Sequence, residues 1–253
     1  MKVMKTLMVA GIIGLVTSSS QAAGDAANAP EHYWEHSGLF GTFDRGALRR
    51  GFKVYNEVCS GCHSLRLVAY RNLKDIGFSE AEIKRIAAER EFPAEPNEDG
   101  EIESRPGLPS DRFKSPFPND NAARASNNGA LPPDLSLIVK ARIGGADYIH
   151  ALLAGYKDAP ANVTVPEGMN YNQYFAGKLI AMAAPLQEDG VEYADGTKAT
   201  VKQQAEDVVT FLAWTAEPEL EERKRMGVKV ILFLLLLTGL VYVVKRRVWA
   251  KVH

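Results

Sequence analysis

The sequence predicts a mainly α-helical exported domain that is held to a membrane by one C-terminal helix. Apolar residues recur at helical spacing near both ends of the domain, whereas alternating polar and apolar runs are sparse. A second observation is the apolar run over residues 226–244, and a third is a short apolar run behind a basic N-terminus. The roughly 200 residues between these runs make one large domain or a small one with insertions.

The N-terminus has the pattern of a secretory signal peptide over residues 1–23. Lys2 and Lys5 precede a short apolar run, and small residues follow up to Ala22 and Ala23. The run is too short to span a bilayer, which takes about 20 residues. We therefore expect cleavage after Ala22 or Ala23 and export of the residues that follow.

Residues 226–244 are expected to form a transmembrane anchor. These 19 residues rise about 28 Å as a helix, close to the ~30 Å of the hydrocarbon core. Lys229 lies near the start of the run, from where its side chain reaches the headgroups. Export of the N-terminus places residues 24–225 in the periplasm or its organellar equivalent, with residues 245–253 on the inner side of the membrane.

The predicted exported part is acidic. Residues 24–225 contain 23 basic and 31 acidic residues, a net charge of −8, while the whole chain is near neutral at −1. We therefore expect no nucleic-acid partner. An acidic domain instead steers cationic proteins toward itself.

The most specific motif is Cys59-Ser60-Gly61-Cys62-His63, which has the C-x-x-C-H spacing of a c-type haem attachment site. Two cysteines three apart present their sulfurs to the vinyl groups along one haem edge. The histidine that follows lies beneath the iron as proximal ligand. The motif has two alternative interpretations. A redox-active C-x-x-C usually lies beside a βαβ pattern of strands and helix, and a structural zinc site needs a second pair of ligands. The sequence has neither, and these are its only cysteines.

Two predicted helices bracket this motif. The first begins after Asp44 and has an apolar stripe between Leu48 and Val58. The second begins at a capping box formed by Thr200 and Gln203 and also has an apolar stripe. Burial of both stripes against each other and a haem is typical of small c-type cytochromes. The predicted fold class is therefore mainly α: a class I c-type cytochrome core with large insertions, plus one C-terminal transmembrane helix.

Three shorter segments between these helices also have helical patterns: residues 80–90, 134–140 and 146–153. Residues 91–133 are rich in Pro, Asn, Gly and acidic residues, and we expect them to form an irregular insertion. The acidic cluster at residues 95–103 is interpreted as a solvated loop.

The residue pattern leaves the second axial ligand of the iron open. A methionine thioether raises the reduction potential, which suits electron transfer. Met182 lies among small residues in the segment 180–186, which permits close approach to a porphyrin. Met169 and His150 are the alternatives, with Met169 also explained as a packing residue and His150 as a surface or satisfied histidine of a helix.

The exported domain and the anchor resemble the cytochrome c1 family in its bacterial form, the haem subunits of the cytochrome bc1 complex (quinol–cytochrome c reductase). The matching segments are Val58–Ser64, Val68–Leu73, Asn127–Ser136, Ala141–Tyr148, Gly168–Phe175, Ile180–Leu186, Ala216–Glu219 and Arg223–Gly227. Their joint order is far more specific than C-x-x-C-H alone.

The resemblance implies one covalent haem c per chain. Cys59 and Cys62 would carry the thioethers. His63 and Met182 would be the two axial ligands of the iron.

The resemblance also implies further contacts around the haem. Arg142 would pair with a propionate in bidentate fashion, and Tyr148 would hydrogen-bond the same edge. A backbone carbonyl in the pocket wall would orient the proximal imidazole. The residues of that wall are Asn127, Ala130, Leu131, Pro132 and Pro133.

The function that the resemblance implies is electron relay in a respiratory or photosynthetic chain. The Rieske iron–sulfur protein would reduce the haem, and a c-type cytochrome would remove the electron. Cytochrome b and membrane lipid would surround residues 226–253 in a dimeric complex, and the isolated chain would not be an enzyme. The rival interpretation is a haem subunit of an oxidase or dehydrogenase, or a free anchored cytochrome. A copper-site motif or a second C-x-x-C-H would favour an oxidase, and the sequence has neither.

Overall fold

The computed structural model describes residues 29–251, so the predicted signal peptide at residues 1–23 lies outside the described residues. The described part is mainly helical, as the sequence predicts. Its α-helices are α1 Arg45–Glu57, α2 Glu80–Ala88, α3 Asp120–Ser126, α4 Gly145–Ala154, α5 Val201–Ala216 and α6 Leu220–Trp249. Its strands form two antiparallel pairs, namely β1 Glu91–Pro93 with β2 Ser104–Pro106 and β3 Asn170–Tyr171 with β4 Leu179–Ile180.

Helices α1 and α5 begin where the sequence predicts. The Asp44 carboxylate accepts a hydrogen bond from the Gly46 amide at 2.8 Å, and the Thr200 hydroxyl accepts one from the Gln203 amide at 3.1 Å. Each bond satisfies a backbone donor that the first helical turn leaves free. The apolar faces of both helices are buried in one hydrophobic core. Two of the predicted shorter helices are confirmed as α2 and α4.

Helix α1 crosses α5 at Gly51 with almost no space between the two backbones. A Cβ atom added to Gly51 would lie 2.0 Å from the carbonyl oxygen of Asp207 and 2.7 Å from Cβ of Phe211. Both distances are far below van der Waals contact, so only glycine permits this approach. Beside it, Nε and Nη2 of Arg50 each lie 2.9 Å from a carboxylate oxygen of the buried Asp207. This bidentate pairing compensates a charge that would otherwise be buried alone.

Residues 134–140 form turns instead of the predicted short helix. The Asp134 carboxylate accepts hydrogen bonds from the amides of Arg66 and Ser136, at 2.8 and 2.9 Å, and from the Ser64 hydroxyl at 2.8 Å. Such side-chain bonds to the backbone compete with helix formation. Burial opposes ionisation of Asp134, but the hydrogen bonds outweigh it and lower the pKa of the carboxyl group. The loop is thereby fastened to the end of the C-x-x-C-H motif.

The predicted irregular insertion at residues 91–133 contains the β1–β2 hairpin and α3, so this expectation is wrong in part. Asn97 closes the hairpin loop, because its Oδ1 accepts hydrogen bonds from the amides of Asp99 and Glu101 at 3.0 and 2.9 Å. The strands are only three residues long and mostly exposed. Three residues are too few to show the alternation of polar and apolar side chains by which a strand is recognised in a sequence.

Helix α6 is long and apolar enough to cross a membrane. Its 30 residues rise about 45 Å, and its apolar window is 0% buried within the described chain. Most apolar side chains from Val230 to Val244 are exposed, which is unfavourable in water and favourable in a hydrocarbon core. The helix extends beyond both ends of the anchor predicted at residues 226–244.

We expect Gly51→Ala to destabilise the protein by about 1–3 kcal/mol, because the added methyl group overpacks the α1–α5 crossing. Gly46→Ala is the matched control in the same helix, since its Cβ would meet only the side-chain ends of Arg50 and Asp44, at 3.3 Å. The measurement is the free energy of unfolding of the full chain in detergent, from urea titrations. Equal stability of the two variants would contradict the close crossing.

Candidate haem site

The Cys59–His63 motif follows directly after α1. Residues Cys59–Gly61 form one turn of 3-10 helix, closed by hydrogen bonds from the amides of Cys62 and His63 to the Cys59 carbonyl at 3.1 and 2.9 Å. Both cysteines and the histidine are thus held in one compact segment. Burial raises the pKa of the Cys59 thiol to about 12. A thiol that resists ionisation is a poor nucleophile for disulfide exchange, because that reaction requires the thiolate.

The His63 imidazole is half-buried and held from one side. Its Nδ1 lies 2.8 Å from the backbone oxygen of Pro133. Since a carbonyl oxygen only accepts, Nδ1 carries the hydrogen, and Nε2 of the neutral ring keeps a free lone pair. Burial lowers the pKa of His63, although the Pro133 bond and the nearby charge of Asp134 oppose this change, so the ring is neutral at pH 7. A neutral imidazole held by backbone at Nδ1 is arranged to bind a metal through Nε2.

A cavity of 350 Å³ opens beside Cys62. The loop with Leu131, Pro132 and Pro133 forms one wall, and the start of α3 forms another. Ligand pockets in proteins commonly span about 300–1,000 Å³, so the cavity is large enough for part of a cofactor. Three of the predicted wall residues are therefore gathered next to the attachment motif, whereas Met182 is not part of this lining.

Asn127 and Ala130, the other two predicted wall residues, lie outside the lining of this cavity. The Asn127 side chain donates from Nδ2 to the Ala123 carbonyl at 2.7 Å, and the Ala130 amide donates to the Asn127 carbonyl at 2.9 Å. The two residues form the turn that leads from α3 into the cavity wall.

Met182 lies two residues beyond β4 and is half-buried. Its backbone oxygen accepts a hydrogen bond from the Tyr156 hydroxyl at 3.1 Å. Tyr156 follows α4 and forms an isolated β-bridge with Asn172, the residue after β3. Burial raises the pKa of Tyr156, so its hydroxyl stays protonated and donates at neutral pH. The Met182 segment is therefore attached to the C-terminal end of α4.

Asn172 organises this attachment from a fully buried position. Its Nδ2 donates to the Leu152 carbonyl in α4 at 2.8 Å. Its Oδ1 accepts from the amides of Tyr174 and Phe175 at 3.0 and 3.2 Å. A Cβ added to Gly155 would lie 3.0 Å from this Oδ1 and 2.6 Å from Cδ2 of Tyr174, so glycine is required there as well. Sequence reasoning assigned no role to Asn172 or Tyr156, because Asn172 Nδ2 binds the Leu152 carbonyl 20 residues away and the Tyr156 hydroxyl binds the Met182 carbonyl 26 residues away.

The two alternative ligands have different surroundings. The His150 ring stacks on His32 with centroids 4.8 Å apart and meets Trp34 edge-on at 5.8 Å. These contacts with the N-terminal segment support a packing role for His150. Met169 is half-buried and ends a turn in which its amide donates to the Pro166 carbonyl at 3.1 Å.

Arg142 and Tyr148 lie on either side of the turn that begins α4. Gly144 and Gly145 have positive φ angles of 84° and 53° and reverse the chain between them. Burial raises the pKa of Tyr148, and the charge of Arg142 opposes this rise because the two side chains are close. The Arg142 guanidinium is exposed, and its one hydrogen bond within residues 29–251 goes to the Ala141 carbonyl at 3.1 Å. The Arg142 guanidinium is therefore free to pair with an anionic group of a ligand.

These residues fit a covalently attached c-type haem. Two thiols on one turn beside a neutral imidazole with a free Nε2 form the donor set for thioether attachment and axial ligation. The cavity wall of leucine and prolines suits a flat apolar ring, and the available guanidinium suits its carboxylate substituents. Within the described residues, no group of three or more His, Cys, Asp or Glu side chains is arranged to hold a metal ion directly.

Comparison with known proteins shows which family the chain belongs to. The pattern of the Cytochrome C1 family matches residues 34–252. The mitochondrial heme protein cytochrome c1 of Saccharomyces cerevisiae is 52% identical over 239 residues, which are 94% of this chain and 77% of the yeast protein. Cytochrome c1 of Rhodospirillum rubrum is 45% identical over 266 residues, which cover 99% of this chain and 98% of that protein. A Bradyrhizobium diazoefficiens protein named cytochrome b/c1 is 45% identical over 270 residues, covering 98% of this chain and 39% of its own length.

The matched range, residues 34–252, spans the C-x-x-C-H motif and the candidate membrane helix α6. Together with relatives this similar over nearly the whole chain, it confirms the resemblance seen in the sequence. The chain therefore belongs to the cytochrome c1 family, the haem-carrying electron-transfer subunits of the cytochrome bc1 complex.

Proposed function

We propose that this chain relays single electrons from the Rieske iron–sulfur protein to a c-type cytochrome in the quinol–cytochrome c reductase of a respiratory or photosynthetic chain. The observation that carries the proposal is the His63 ring, which is held at Nδ1 by the Pro133 carbonyl and lies at the end of the turn that contains both cysteines. On its own the chain is a redox subunit and not an enzyme.

In this proposal, Cys59 and Cys62 form the thioethers. His63 Nε2 and Met182 Sδ would be the two protein ligands of the iron. When bound, the haem supplies one-electron chemistry through its iron. The thioether of Met182 raises the potential, and protein ligands on both faces keep the coordination the same in both oxidation states. The Tyr156 hydroxyl keeps the Met182 backbone in position.

Two further groups complete the proposed pocket. Arg142 binds a haem propionate through its guanidinium, and Tyr148 donates to the same edge. Leu131, Pro132 and Pro133 exclude water from one side of the ring, and Asn127 and Ala130 shape the turn that positions them.

The proposed location follows from the two ends of the chain. Residues 1–23 are removed on export, residues 24–225 lie in the periplasm, residues 226–244 cross the bacterial inner membrane, and residues 245–253 lie in the cytoplasm. Cytochrome b is the proposed protein neighbour of α6 in a dimeric complex. The name of the Bradyrhizobium relative, cytochrome b/c1, supports this pairing.

The electron-relay proposal is tested by rapid mixing of the purified complex with quinol. We expect this haem to be reduced only when the Rieske protein is present, and to be reoxidised by a cationic c-type cytochrome. The rate of reoxidation should fall as the salt concentration rises, because the acidic exported part attracts the acceptor electrostatically. Equal reduction of the haem in complexes depleted of the Rieske protein would contradict the proposed donor.

The assignment of Met182 predicts the behaviour of Met182→Leu. Loss of the thioether should lower the reduction potential by on the order of 100 mV, since axial ligands set haem potentials over a range of about 0.8 V. The vacated coordination position should also bind carbon monoxide. Met169→Leu is the matched control and should leave both properties unchanged. Redox titration and carbon monoxide difference spectra measure them, and the opposite pattern would transfer the ligand role to Met169.

The hydrogen bond to the Met182 backbone predicts a weaker effect for Tyr156→Phe. A hydrogen bond worth about 1 kcal/mol makes the ligand-detached, carbon monoxide-binding state about five-fold more populated when it is lost. Tyr171→Phe is the control, because the Tyr171 hydroxyl makes no hydrogen bond within residues 29–251. The charge-transfer band of methionine-ligated ferric haem, followed with temperature, reports ligand detachment. An unchanged band in Tyr156→Phe would show that this hydrogen bond does not position Met182.

A further inference from the structure

We propose that the loop of residues 36–41 is a second membrane contact, in which Leu39 and Phe40 enter the interface of the bilayer beside α6. The proposal rests on the membrane span of α6 and is independent of the electron-relay proposal. In the described chain Leu39 is 60% exposed and Phe40 is 79% exposed. The two residues are neighbours in the chain, and the loop that contains them contacts the first turns of α6.

Lys224 fastens this loop to α6. Its Nζ donates to the carbonyl oxygens of His36 and Gly41, at 2.7 and 2.9 Å, and so holds both ends of the loop. A second connection follows immediately, where the Phe43 amide donates to the Glu221 carboxylate at 2.8 Å. The loop therefore keeps a fixed level along the helix axis.

The backbone of the loop is closed tightly on itself. A Cβ added to Gly41 would lie 2.0 Å from the Ser37 carbonyl oxygen and 2.6 Å from that of Glu35. The His36 ring stacks on Phe43 with centroids 4.8 Å apart, which fixes the base of the loop. Leu39 and Phe40 are thus presented at the tip of a closed turn.

The level of the loop matches the lipid interface. Lys224 precedes Met226, where the apolar run begins, by two residues, or about 3 Å along the helix. The headgroup layer on each side of a bilayer is about 5–8 Å thick. A tip fastened at this level lies within that layer. Leucine and phenylalanine are residues that interfacial segments insert at the boundary between headgroups and acyl chains.

The test uses a nitroxide label on a single introduced cysteine in the full haem-loaded chain. The only native cysteines, Cys59 and Cys62, are consumed by the proposed thioethers, so the introduced residue is labelled alone. Phe40→Cys and Leu39→Cys are the two test variants. Ile102→Cys, on the β1–β2 hairpin and 65% exposed, is the matched aqueous control. Leu235→Cys on α6 is the lipid reference.

The chain is placed in nanodiscs of phosphatidylcholine with a minority of phosphatidylglycerol, alone and in the complex with cytochrome b. Relaxation by oxygen, which concentrates in lipid, is compared with relaxation by a water-soluble nickel chelate. The measured quantity is the relaxation by oxygen divided by the relaxation by the nickel chelate. We expect this ratio at positions 39 and 40 to be several-fold higher than at position 102 and to approach the ratio at position 235, in both samples.

Three results would overturn or redirect the inference. A ratio at positions 39 and 40 equal to that at position 102 in both samples would show a loop in water. Labels shielded from both reagents only in the complex would show that a protein surface covers the tip. A water-like ratio at position 235 would refute the membrane span itself, which separates that failure from failure of the loop contact. An unchanged haem spectrum in each variant shows that the domain is folded.

Discussion

At Gly51 the backbones of α1 and α5 approach so closely that no side chain fits between them. Helix α1 runs directly into the Cys59–His63 turn, and α5 is followed after three residues by α6. The crossing therefore joins the proposed haem attachment site to the membrane anchor through two rigid helices. The bidentate pair of Arg50 and Asp207 adds a preferred orientation, because a planar fork on a carboxylate is directional whereas apolar contact is not.

Helix α5 is also the shared support of the two proposed axial ligands. On one side, the Thr215 hydroxyl donates to the Ser136 carbonyl at 3.3 Å, in the loop whose Pro133 holds His63. On the other side, α4 packs against α5 and carries the Asn172 and Tyr156 contacts that hold the Met182 segment. Each hydrogen bond contributes only about 1 kcal/mol. The spacing between the two ligands is therefore set by the packing of α4 and the loop on α5.

The parts of the fold that depend on local chemistry could be predicted from the sequence. The N-caps at Asp44 and Thr200, the apolar helical stripes and the C-x-x-C-H turn are all decided within a few residues. The helix predicted at residues 134–140 was wrong because Asp134 binds distant backbone, which no periodicity reveals. The buried Asn172 was missed for a similar reason, since its Nδ2 binds the Leu152 carbonyl in α4, 20 residues earlier in the chain.

The position of the domain relative to α6 depends more on the short covalent link and on burial than on ion pairs. Glu217 pairs with Lys140 and Arg223, each at 2.8 Å, but exposed pairs contribute only about 0–1 kcal/mol. The short link and the buried Leu220 fix where α6 begins. The ion pairs connect the loop that contains Lys140 to the link between α5 and α6 and to Arg223 in the first turn of α6. Arg142, the proposed partner of the propionates, lies only two residues beyond Lys140, so the same connection limits how far its loop can move from the start of α6.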